Sequence, residues 1–379
     1  MNVAGGRKKG VPFSRDMQIA WLRLFRSDNV GPVTFRQLIN RYGGADAALD
    51  ALPGLAERGG RRIEVADRGS IEREFERATK MGAVFSCLGE PDFPQMLAQD
   101  AHAPPVIARM GDPALFARPA VAVVGARNAS LSGIKLTKRF SADLGQAGYV
   151  IVSGFARGID AAAHEASLPT GTIGVFAGGL DKPYPPENKP LMRRVVDEGG
   201  CIVSARPFGW EPRAKDFPRR NRIVATLCHG LLVVEAAQRS GSLISARVAN
   251  EIGRLVFAVP GSPLDPRAGG SNQLLKDGAI LVTQTSDIIE ALRPLDHRIR
   301  ALGQDDLDEA EGGMIDMSDE PAEDERARIQ ETLGPTPVFI DDIVQHTGAS
   351  PGAVQLVIIE LELAGRLERH GDGSVSLLL

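Results

Sequence analysis

Basic and aromatic side chains alternate in residues 206–222, which makes this segment the best candidate for binding an anion. It holds six arginine or lysine residues against Glu211 and Asp216, and Phe208, Trp210 and Phe217 lie between the charges. Its second half is predicted to open a helix, where the helix dipole disfavours cations unless an anion is shared there. The alternative, a solvated basic face, fits the interleaved rings less well. We therefore predict phosphate contacts from Arg219, Arg220, Asn221 and Arg222.

Two glycine-containing turns follow predicted strands and could bring backbone amides close to a phosphate. The first holds Gly125 and Arg127 and leads through Ser130 into a helix whose first N–H groups are free for an anion. The second begins with Ser153-Gly154 and resembles a backbone nest. Neither turn fits the dinucleotide fingerprint, because the glycine spacing fails and no carboxylate ends the second strand.

Two further loops carry weaker signals. Residues 178–188 are rich in Pro and Gly and present Lys182 beside Tyr184, a charge for phosphate and a ring for a base. Ser240, Gly241 and Ser242 begin a predicted helix, where they serve equally well as an N-cap or as phosphate donors, and the sequence does not separate the two.

Asp160 and His164 lie four residues apart on one predicted helix, which could indicate a metal or acid-base pair. No third ligand or nucleophile is near them in sequence, so an intrahelical hydrogen bond and packing are favoured. The three cysteines are far apart and are expected to be reduced, buried thiols. We expect neither a metal nor a cofactor.

The elements that must position these residues form an α/β domain. Apolar runs at 121–124, 149–153, 172–176, 201–204, 231–234, 255–259 and 280–282 alternate with helical patterns at 131–146, 159–166, 188–197, 242–252 and 271–276. Near-continuous apolar strands alternating with helices predict a parallel sheet covered on both faces, Rossmann-like in the broad sense. This domain is assigned to residues 81–300.

Smaller modules flank the predicted sheet. Residues 1–80 read as a small helical domain whose Gly31-Pro32 turn resembles a helix-hairpin-helix element, although a packing role for that turn is favoured. Residues 301–325 are an acidic linker, with eleven Asp or Glu and no Lys or Arg after position 304. Residues 326–379 predict three helices, at 326–333, 340–346 and 350–364, and two strands, at 366–369 and 375–378, which together make a winged helix.

Composition sets the outer limits. A chain of 379 residues with 43% hydrophobic and 24% charged residues is neither disordered throughout nor a disulfide-stapled fold. No apolar run reaches the length of a membrane span or marks a signal peptide, so a cytoplasmic protein is expected. The net charge of -4 is an average, because residues 1–304 hold 40 basic and 30 acidic residues and the acidic surplus lies beyond them. A nucleic-acid partner is therefore compatible with the acidic total.

Six ordered motifs over residues 121–278 resemble the DNA-processing protein A family, also called DprA or Smf. They are Val-Val-Gly-Ala-Arg-Asn-Ala-Ser, Ser-Gly-Phe-Ala-Arg-Gly-Ile-Asp, Gly-Gly-Leu-Asp with Tyr-Pro-Pro-Glu-Asn, Phe-Pro-Arg-Arg-Asn-Arg, Val-Val-Glu-Ala with Ser-Gly-Ser-Leu-Ile, and Ala-Val-Pro-Gly before Gly-Gly-Ser-Asn-Gln-Leu-Leu. The flanking modules resemble that family's SAM-like and winged-helix domains.

The resemblance implies a non-catalytic protein that binds and protects single-stranded DNA and loads the recombinase RecA onto it during natural transformation. It assigns the DNA-backbone arginine to Arg127, with Ala126 in place of the usual Ser, and extends to Phe217, Pro218, Arg220, Asn221 and Arg222. It assigns a further basic contact to Lys182 or Lys189. It also implies a homodimer formed through the Rossmann-like domain.

An enzyme is the competing hypothesis, namely a nucleotide phosphoribohydrolase of the lysine-decarboxylase-like group, in which Glu235 and Arg157 would act. Against it, the PGGxGT motif of that group is absent and Glu235 precedes its Gly-Ser turn. A third hypothesis, a regulator that binds duplex DNA through the winged helix, is weakened by charge. The predicted recognition helix at 350–364 carries Glu360 and Glu362 and no basic residue, so we interpret the module as one for protein interaction or regulation.

Overall fold

The computed structural model describes residues 11–302 and 320–378, and of residues 295–302 it describes the backbone alone. The chain divides into two compact units. Among the described residues, the sheet unit comprises residues 11–12 and 74–302. The terminal unit combines Phe13–Arg73 with residues 320–378. Most of the predicted linker, residues 303–319, lies outside the described residues.

The N-terminal region is helical, as predicted. Its helices are α1 (Arg15–Arg26), α2 (Pro32–Tyr42), α3 (Ala45–Arg58) and α4 (Arg68–Lys80). Ser14 caps α1 by accepting from the Met17 amide at 3.2 Å, and Pro32 stands at the first position of α2, where a missing N–H costs nothing.

The sheet unit alternates strands and helices. Its strands are β1 (Val84–Cys87), β2 (Val106–Gly111), β3 (Ala120–Val124), β4 (Val150–Ser153), β5 (Thr172–Val175), β6 (Cys201–Ser204), β7 (Gly230–Val233), β8 (Leu255–Ala258) and β9 (Ile280–Leu281). Its helices are α5 (Gln95–Ala98), α6 (Leu131–Gln146), α7 (Ile159–Ser167), α8 (Lys189–Asp197), α9 (Asp216–Thr226), α10 (Gly241–Glu251), α11 (Gly269–Lys276) and α12 (Thr285–Leu302).

The strand order is β1-β2-β6-β5-β4-β3-β7-β8-β9. The strands from β6 to β9 are parallel, whereas β1 and β2 form an antiparallel edge. The predicted fold class is confirmed, although no pattern in the sequence indicated this antiparallel edge. The chain order reverses between β3 and β7, so the carboxyl ends of these strands are where an open parallel sheet leaves a crevice.

Strand β3 shows why its apolar run is continuous. Ala120, Ala122 and Val124 belong to the hydrophobic core on one face of the sheet, while Val121 and Val123 belong to the core on the other. Successive side chains of a strand point to opposite faces, so both faces must be apolar when both are covered by helices. The three cysteines are buried and form no disulfide, and burial raises the pKa of Cys201 and of Cys228 to about 12.

The C-terminal region is a winged helix. It contains α13 (Glu323–Glu331), β10 (Val338–Phe339), α14 (Ile340–Thr347), α15 (Pro351–Leu363), β11 (Leu367–Arg369) and β12 (Ser374–Leu377). Helix α13 begins three residues before the predicted position, because Glu323, Asp324 and Glu325 lie in its first turn, where the helix dipole favours negative charge. Among the described residues, no helix has the length and apolarity needed to cross a membrane.

Candidate nucleic-acid interface

A cavity of about 200 Å³ opens beside the carboxyl ends of β3 and β4. It brings together four segments that the sequence singles out separately: the turn after β3, the turn after β4, the loop before α8 and the start of α9. The lining residues are Arg127, Gly154, Ala156, Arg157, Tyr184, Pro185, Pro186, Glu187, Phe217 and Arg220.

Two guanidinium groups of this cavity converge on one aromatic ring. The Cζ atoms of Arg127 and Arg220 lie 5.3 Å and 5.9 Å from the centre of the Phe217 ring, and the Tyr184 ring meets the same ring edge-on at 5.8 Å. Cations are attracted to aromatic faces, but two like charges on one ring also repel each other. An anion between them would relieve that repulsion, and the exposed Tyr184 ring offers a surface for stacking.

Arg220 is the buried member of the pair, with 7% of its side chain exposed. Its carboxylate partner Asp160 lies 3.7 Å from Nη1, and its Nε finds no hydrogen-bond partner among the described residues. Burial lowers the pKa of Arg220; Asp160 raises that pKa, and the nearby Arg127 charge lowers it again. Arg220 therefore carries a buried positive charge that the protein itself compensates only in part.

Gly154 makes the position of Arg220 possible. A Cβ atom at Gly154 would lie 0.9 Å from Nη1 of Arg220, so the guanidinium occupies the space that any side chain there would need. The predicted role of Gly154 changes accordingly. Its hydrogen atom admits an arginine, while its amide donates to Asp160 Oδ2 at 3.1 Å.

Asp160 fills the backbone nest that the sequence suggested for a phosphate. Its Oδ2 accepts hydrogen bonds from the amides of Gly154 and Ala156, at 3.1 and 3.2 Å. The carboxylate is buried, which raises its pKa even though Arg220 and the two amides act in the opposite direction. His164 does not bond to Asp160 and instead pairs through Nδ1 with the Thr172 hydroxyl at 2.7 Å, so the predicted intrahelical hydrogen bond is wrong.

The turn after β4 is held in a rare backbone conformation. Phe155 has a φ of 59°, a region that non-glycine residues seldom adopt, and its ring stacks on His164 at 4.1 Å. Asn188 donates its side-chain amide to the Phe155 carbonyl at 2.7 Å. This bond ties the Tyr184 loop to the turn, so the two sides of the cavity are fixed to each other.

The helix N-terminus after β3 is partly engaged within the protein. Glu235 accepts from the Ser130 amide at 2.9 Å and from the Ser130 hydroxyl at 2.5 Å. The same hydroxyl caps α6 by accepting from the Gly133 amide. Gly125 is required for packing, because a Cβ there would lie 2.7 Å from Ile159. A carboxylate of the chain thus accepts the Ser130 amide and hydroxyl at the β3–β7 reversal, and phosphate binding by Gly125 and Ser130 stays a prediction.

Three more predicted contacts are engaged within the protein. The Ser153 hydroxyl is buried and donates to the Val123 carbonyl at 2.7 Å. Arg222 forms a two-pronged pair with Asp100, at 2.8 and 2.9 Å; burial raises the pKa of Asp100, but the Arg222, His102 and Thr226 hydrogen bonds outweigh it and leave that pKa lowered. Asn221 is buried and donates to the Gly241 carbonyl. These hydrogen bonds engage the three side chains within the protein, and their phosphate contacts stay a prediction.

The remaining predicted residues lie outside the cavity lining. Lys182 pairs with Glu211 at 3.4 Å, Lys189 is exposed at the start of α8, and Arg219 is exposed on α9. Ser240 caps α10 by accepting from the Ser242 amide, and its hydroxyl lies 2.6 Å from that of Ser242, whereas Gly241 has open space around it. Phosphate binding by these residues stays a prediction.

Sequence reasoning missed one ion pair of the cavity. Tyr184, expected as a ring for a base, and Phe217 of the matched motif both line the cavity, but so does Arg157 with its partner Glu187, 3.6 Å away, and the sequence assigned Arg157 only to the enzyme hypothesis. The position of Arg157 within the Gly154–Gly158 turn was the available signal. Glu235, on which the enzyme hypothesis depends, is held on α6 and does not line the cavity.

The sheet and its cavity define a Rossmann-like α/β protein with a basic, ring-lined site at the carboxyl edge of the strands. Comparison with protein families is more specific. Residues 84–293 match the DNA recombination-mediator protein A family, residues 15–77 the DprA-like N-terminal HHH domain, and residues 316–373 the DprA winged helix domain. The chain belongs to the DNA recombination-mediator protein A family, and the resemblance seen in its motifs is confirmed.

Similar proteins extend over most of the chain. Protein Smf of Synechocystis is 32% identical over 93% of this chain and 97% of its own length. The crystal structure of DNA processing protein A from Streptococcus pneumoniae is 38% identical, with a TM-score of 0.55 over 59% of this chain and 77% of that one. The Helicobacter pylori protein, whose structure concerns its single-stranded DNA binding mode, is 29% identical, with a TM-score of 0.51 over 55% and 96%.

Proposed function

We propose that this DNA-processing protein binds single-stranded DNA and that the cavity holds one nucleotide unit of the strand. A backbone phosphate lies between Arg127 and Arg220, and a base stacks on Tyr184. The observation that carries the proposal is the convergence of two guanidiniums on Phe217 with incomplete compensation for Arg220. Phosphate contacts and stacking are how proteins hold single strands without reading their sequence.

In the fuller proposal, which rests on family membership, the protein acts in the cytoplasm as a homodimer. There it protects incoming single strands and loads RecA onto them during natural transformation. The Helicobacter pylori relative supports the choice of single-stranded DNA as the ligand. A dimer would present two cavities, so one strand held at both would gain affinity from the high effective concentration of the second site.

The test is fluorescence anisotropy with a labelled oligothymidylate over a salt series. Arg127→Ala and Tyr184→Ala are each expected to weaken binding about tenfold or more, the cost of one charge-assisted hydrogen bond or one stacked base. Arg127→Ala also reduces the slope of log affinity against log salt by about 0.7, the value for one phosphate of a single strand. Arg139→Ala, an exposed arginine on α6 outside the cavity, is the matched control.

Lys182→Ala tests the predicted contact that the structure leaves outside the cavity lining. Unchanged affinity together with a large Tyr184 effect would limit the interface to the cavity. If neither Arg127→Ala nor Tyr184→Ala differs from Arg139→Ala, the proposed interface is wrong.

We also propose that the cavity binds without catalysing a reaction. This is supported by Glu235, whose two carboxylate oxygens are occupied by Ser130 and are therefore unsuited to the proton transfer that a phosphoribohydrolase needs. Incubation with nucleoside monophosphates and chromatography for free base tests this directly. Release of base that Glu235→Gln abolishes would favour the enzyme.

A further inference from the structure

Helix α15, which occupies the recognition-helix position of the winged helix, is an interior helix. Ten of its thirteen residues are buried, so too little of its surface is exposed to enter a DNA groove. A helix that is apolar all round belongs in a core. The observed burial therefore agrees with its sequence, which is Pro-Gly-Ala-Val-Gln-Leu-Val-Ile-Ile-Glu-Leu-Glu-Leu.

Two cores share this helix. Val354, Val357, Ile358 and Leu361 pack with the winged-helix residues around Ile343 and Leu367. Leu356, Ile359 and Leu363 instead join the core of the N-terminal helices, with Leu24, Phe35, Leu52 and Leu55. The N-terminal core is therefore completed by residues from the far end of the chain.

Polar contacts cross the same interface. Glu360 is fully buried between Arg58 at 2.7 Å and Arg326 at 2.9 Å. The Asn29 side chain donates to the Leu363 carbonyl at 2.7 Å, at the end of α15 where helix carbonyls lack partners. Arg366 donates to the Gly59 carbonyl at 3.1 Å. A buried carboxylate that depends on arginines from two chain segments ties the folding of those segments together.

Gly59 sets the distance of closest approach. A Cβ there would lie 2.0 Å from the Glu360 carbonyl oxygen, so the backbones of the two segments are in direct contact. The φ of Gly59 is -70°, which every residue adopts, so glycine is required at this position for the approach and not for the turn.

We propose that the winged helix is the intrachain partner of the N-terminal helices. The two ends of the chain form one cooperative folding unit in which α15 is the shared interior helix and does not read duplex DNA. The occupant of the apolar face of α15 is residues 13–66 of the same chain. This inference rests on the terminal unit alone and is independent of the single-strand site.

Hydrogen–deuterium exchange of the full-length chain tests the proposal, with Gly59→Ala compared against Gly54→Ala. Gly54 lies on the same helix, and a Cβ there meets nothing closer than 3.8 Å, so it is the matched control. We expect Gly59→Ala to speed exchange about tenfold or more in both α15 and α1–α3, with no change in β3–β8 and no faster exchange in the Gly54→Ala protein, because alanine favours a helix interior over glycine. Faster exchange confined to α3, or to α15, would overturn the cooperative unit.

Duplex DNA added to the wild-type chain provides the second measurement. Exchange in α15 is expected to be the same with and without a duplex several helical turns long. Protection of α15 peptides by the duplex would show that the helix does contact DNA, and the proposed role would be wrong even if Gly59→Ala behaves as expected.

Discussion

Arg220 in the sheet unit and Arg326 in the terminal unit are equally buried, with 7% and 8% of their side chains exposed, yet their surroundings differ. Arg326 meets Glu360 through Nε at 2.9 Å and through Nη2 at 3.2 Å. Burial lowers the pKa of Arg326, but the Glu360 hydrogen bonds and charge outweigh it and raise the pKa overall. For Arg220 burial prevails, and the pKa is lowered.

Arg326 is a structural charge, whereas the charge of Arg220 is available to a ligand. Arg326 has its counter-ion within hydrogen-bond distance, so nothing is gained there by an incoming anion. Arg220 shares Asp160 with two backbone amides and keeps an Nε without a partner among the described residues. An anion at Arg220 would supply the missing counter-charge and a hydrogen-bond acceptor for Nε. Two equally buried arginines therefore have different roles, Arg326 in stability and Arg220 in the proposed binding of an anion.

Removing the partner of the structural charge should have the largest effect on stability. Glu360→Ala leaves Arg326 buried with only the exposed Glu323, 3.4 Å away, as a counter-ion, and we expect the terminal unit to lose about 3–5 kcal/mol of its unfolding free energy. Trp21 reports on this unit, so urea unfolding followed by its fluorescence, in a Trp210→Phe background shared by all variants, provides the measurement. Single-strand affinity should be unchanged, and a tenfold loss of affinity would contradict the separation of roles.

Arg220→Met should act mainly on binding. Methionine fills the buried space without charge, so affinity for an oligothymidylate should fall by about 1.5–3 kcal/mol. Asp160 loses its charge partner but keeps the Gly154 and Ala156 amides, so the sheet unit should lose less stability than the terminal unit does in Glu360→Ala. Arg222→Met is the matched control, since it lies two residues along the same helix. That change breaks the Asp100 pair and should cost stability with little loss of affinity. Equal losses of affinity in both variants would remove the distinction.

The sequence predicted phosphate contacts from Arg219, Arg220 and Arg222 alike, but only Arg220 of these lines the cavity, and helix geometry explains why Arg222 does not. Residues on a helix turn by about 100° each, so Arg220 and Arg222 point roughly 200° apart. Once α9 is known to begin at Asp216, one of the two must face away from the cavity. The deciding carboxylates, Asp100 for Arg222 and Asp160 for Arg220, come from other segments, and no local pattern places them.

The fold was predictable where the apolar pattern was continuous. Helix α6 has the bounds expected from its periodicity, and β6 matches residue for residue. The antiparallel pair of β1 and β2 was not predicted. Strand β2 ends in Arg109, Met110 and Gly111, a sequence typical of a loop, and these residues form a strand by pairing with β1 and β6. Likewise, local sequence suggested an anion site at Ser130, whereas Glu235, which is distant in sequence, occupies it.

Gly154→Ala sharpens the comparison without removing any charge. The new methyl group would occupy the place of Nη1 of Arg220, so the guanidinium must leave its position, and we expect affinity to fall about tenfold with the arginine still present. Gly241→Ala, which meets no atom within 4 Å, is the control for glycine replacement. A loss of affinity in Gly241→Ala as well would instead support phosphate binding at the start of α10.

Near neutral pH the smallest effect is that of His164, because its cost to stability appears only as the pH falls. Burial, followed by the Arg220 charge, lowers the pKa of His164 to about 3. The unfolded chain therefore binds a proton near pH 6.5 that the folded chain does not, so this residue costs stability as the pH falls from about 6.5 towards 3. The slope approaches about 1.4 kcal/mol per pH unit. His164→Asn should flatten the pH dependence of sheet-unit unfolding, measured by the fluorescence of Trp210 in a Trp21→Phe background. An unaltered slope would mean that His164 has the same pKa in the folded and the unfolded chain. The surroundings of His164 and Arg220 would then be hydrated, which contradicts a buried Arg220 charge that is only partly compensated.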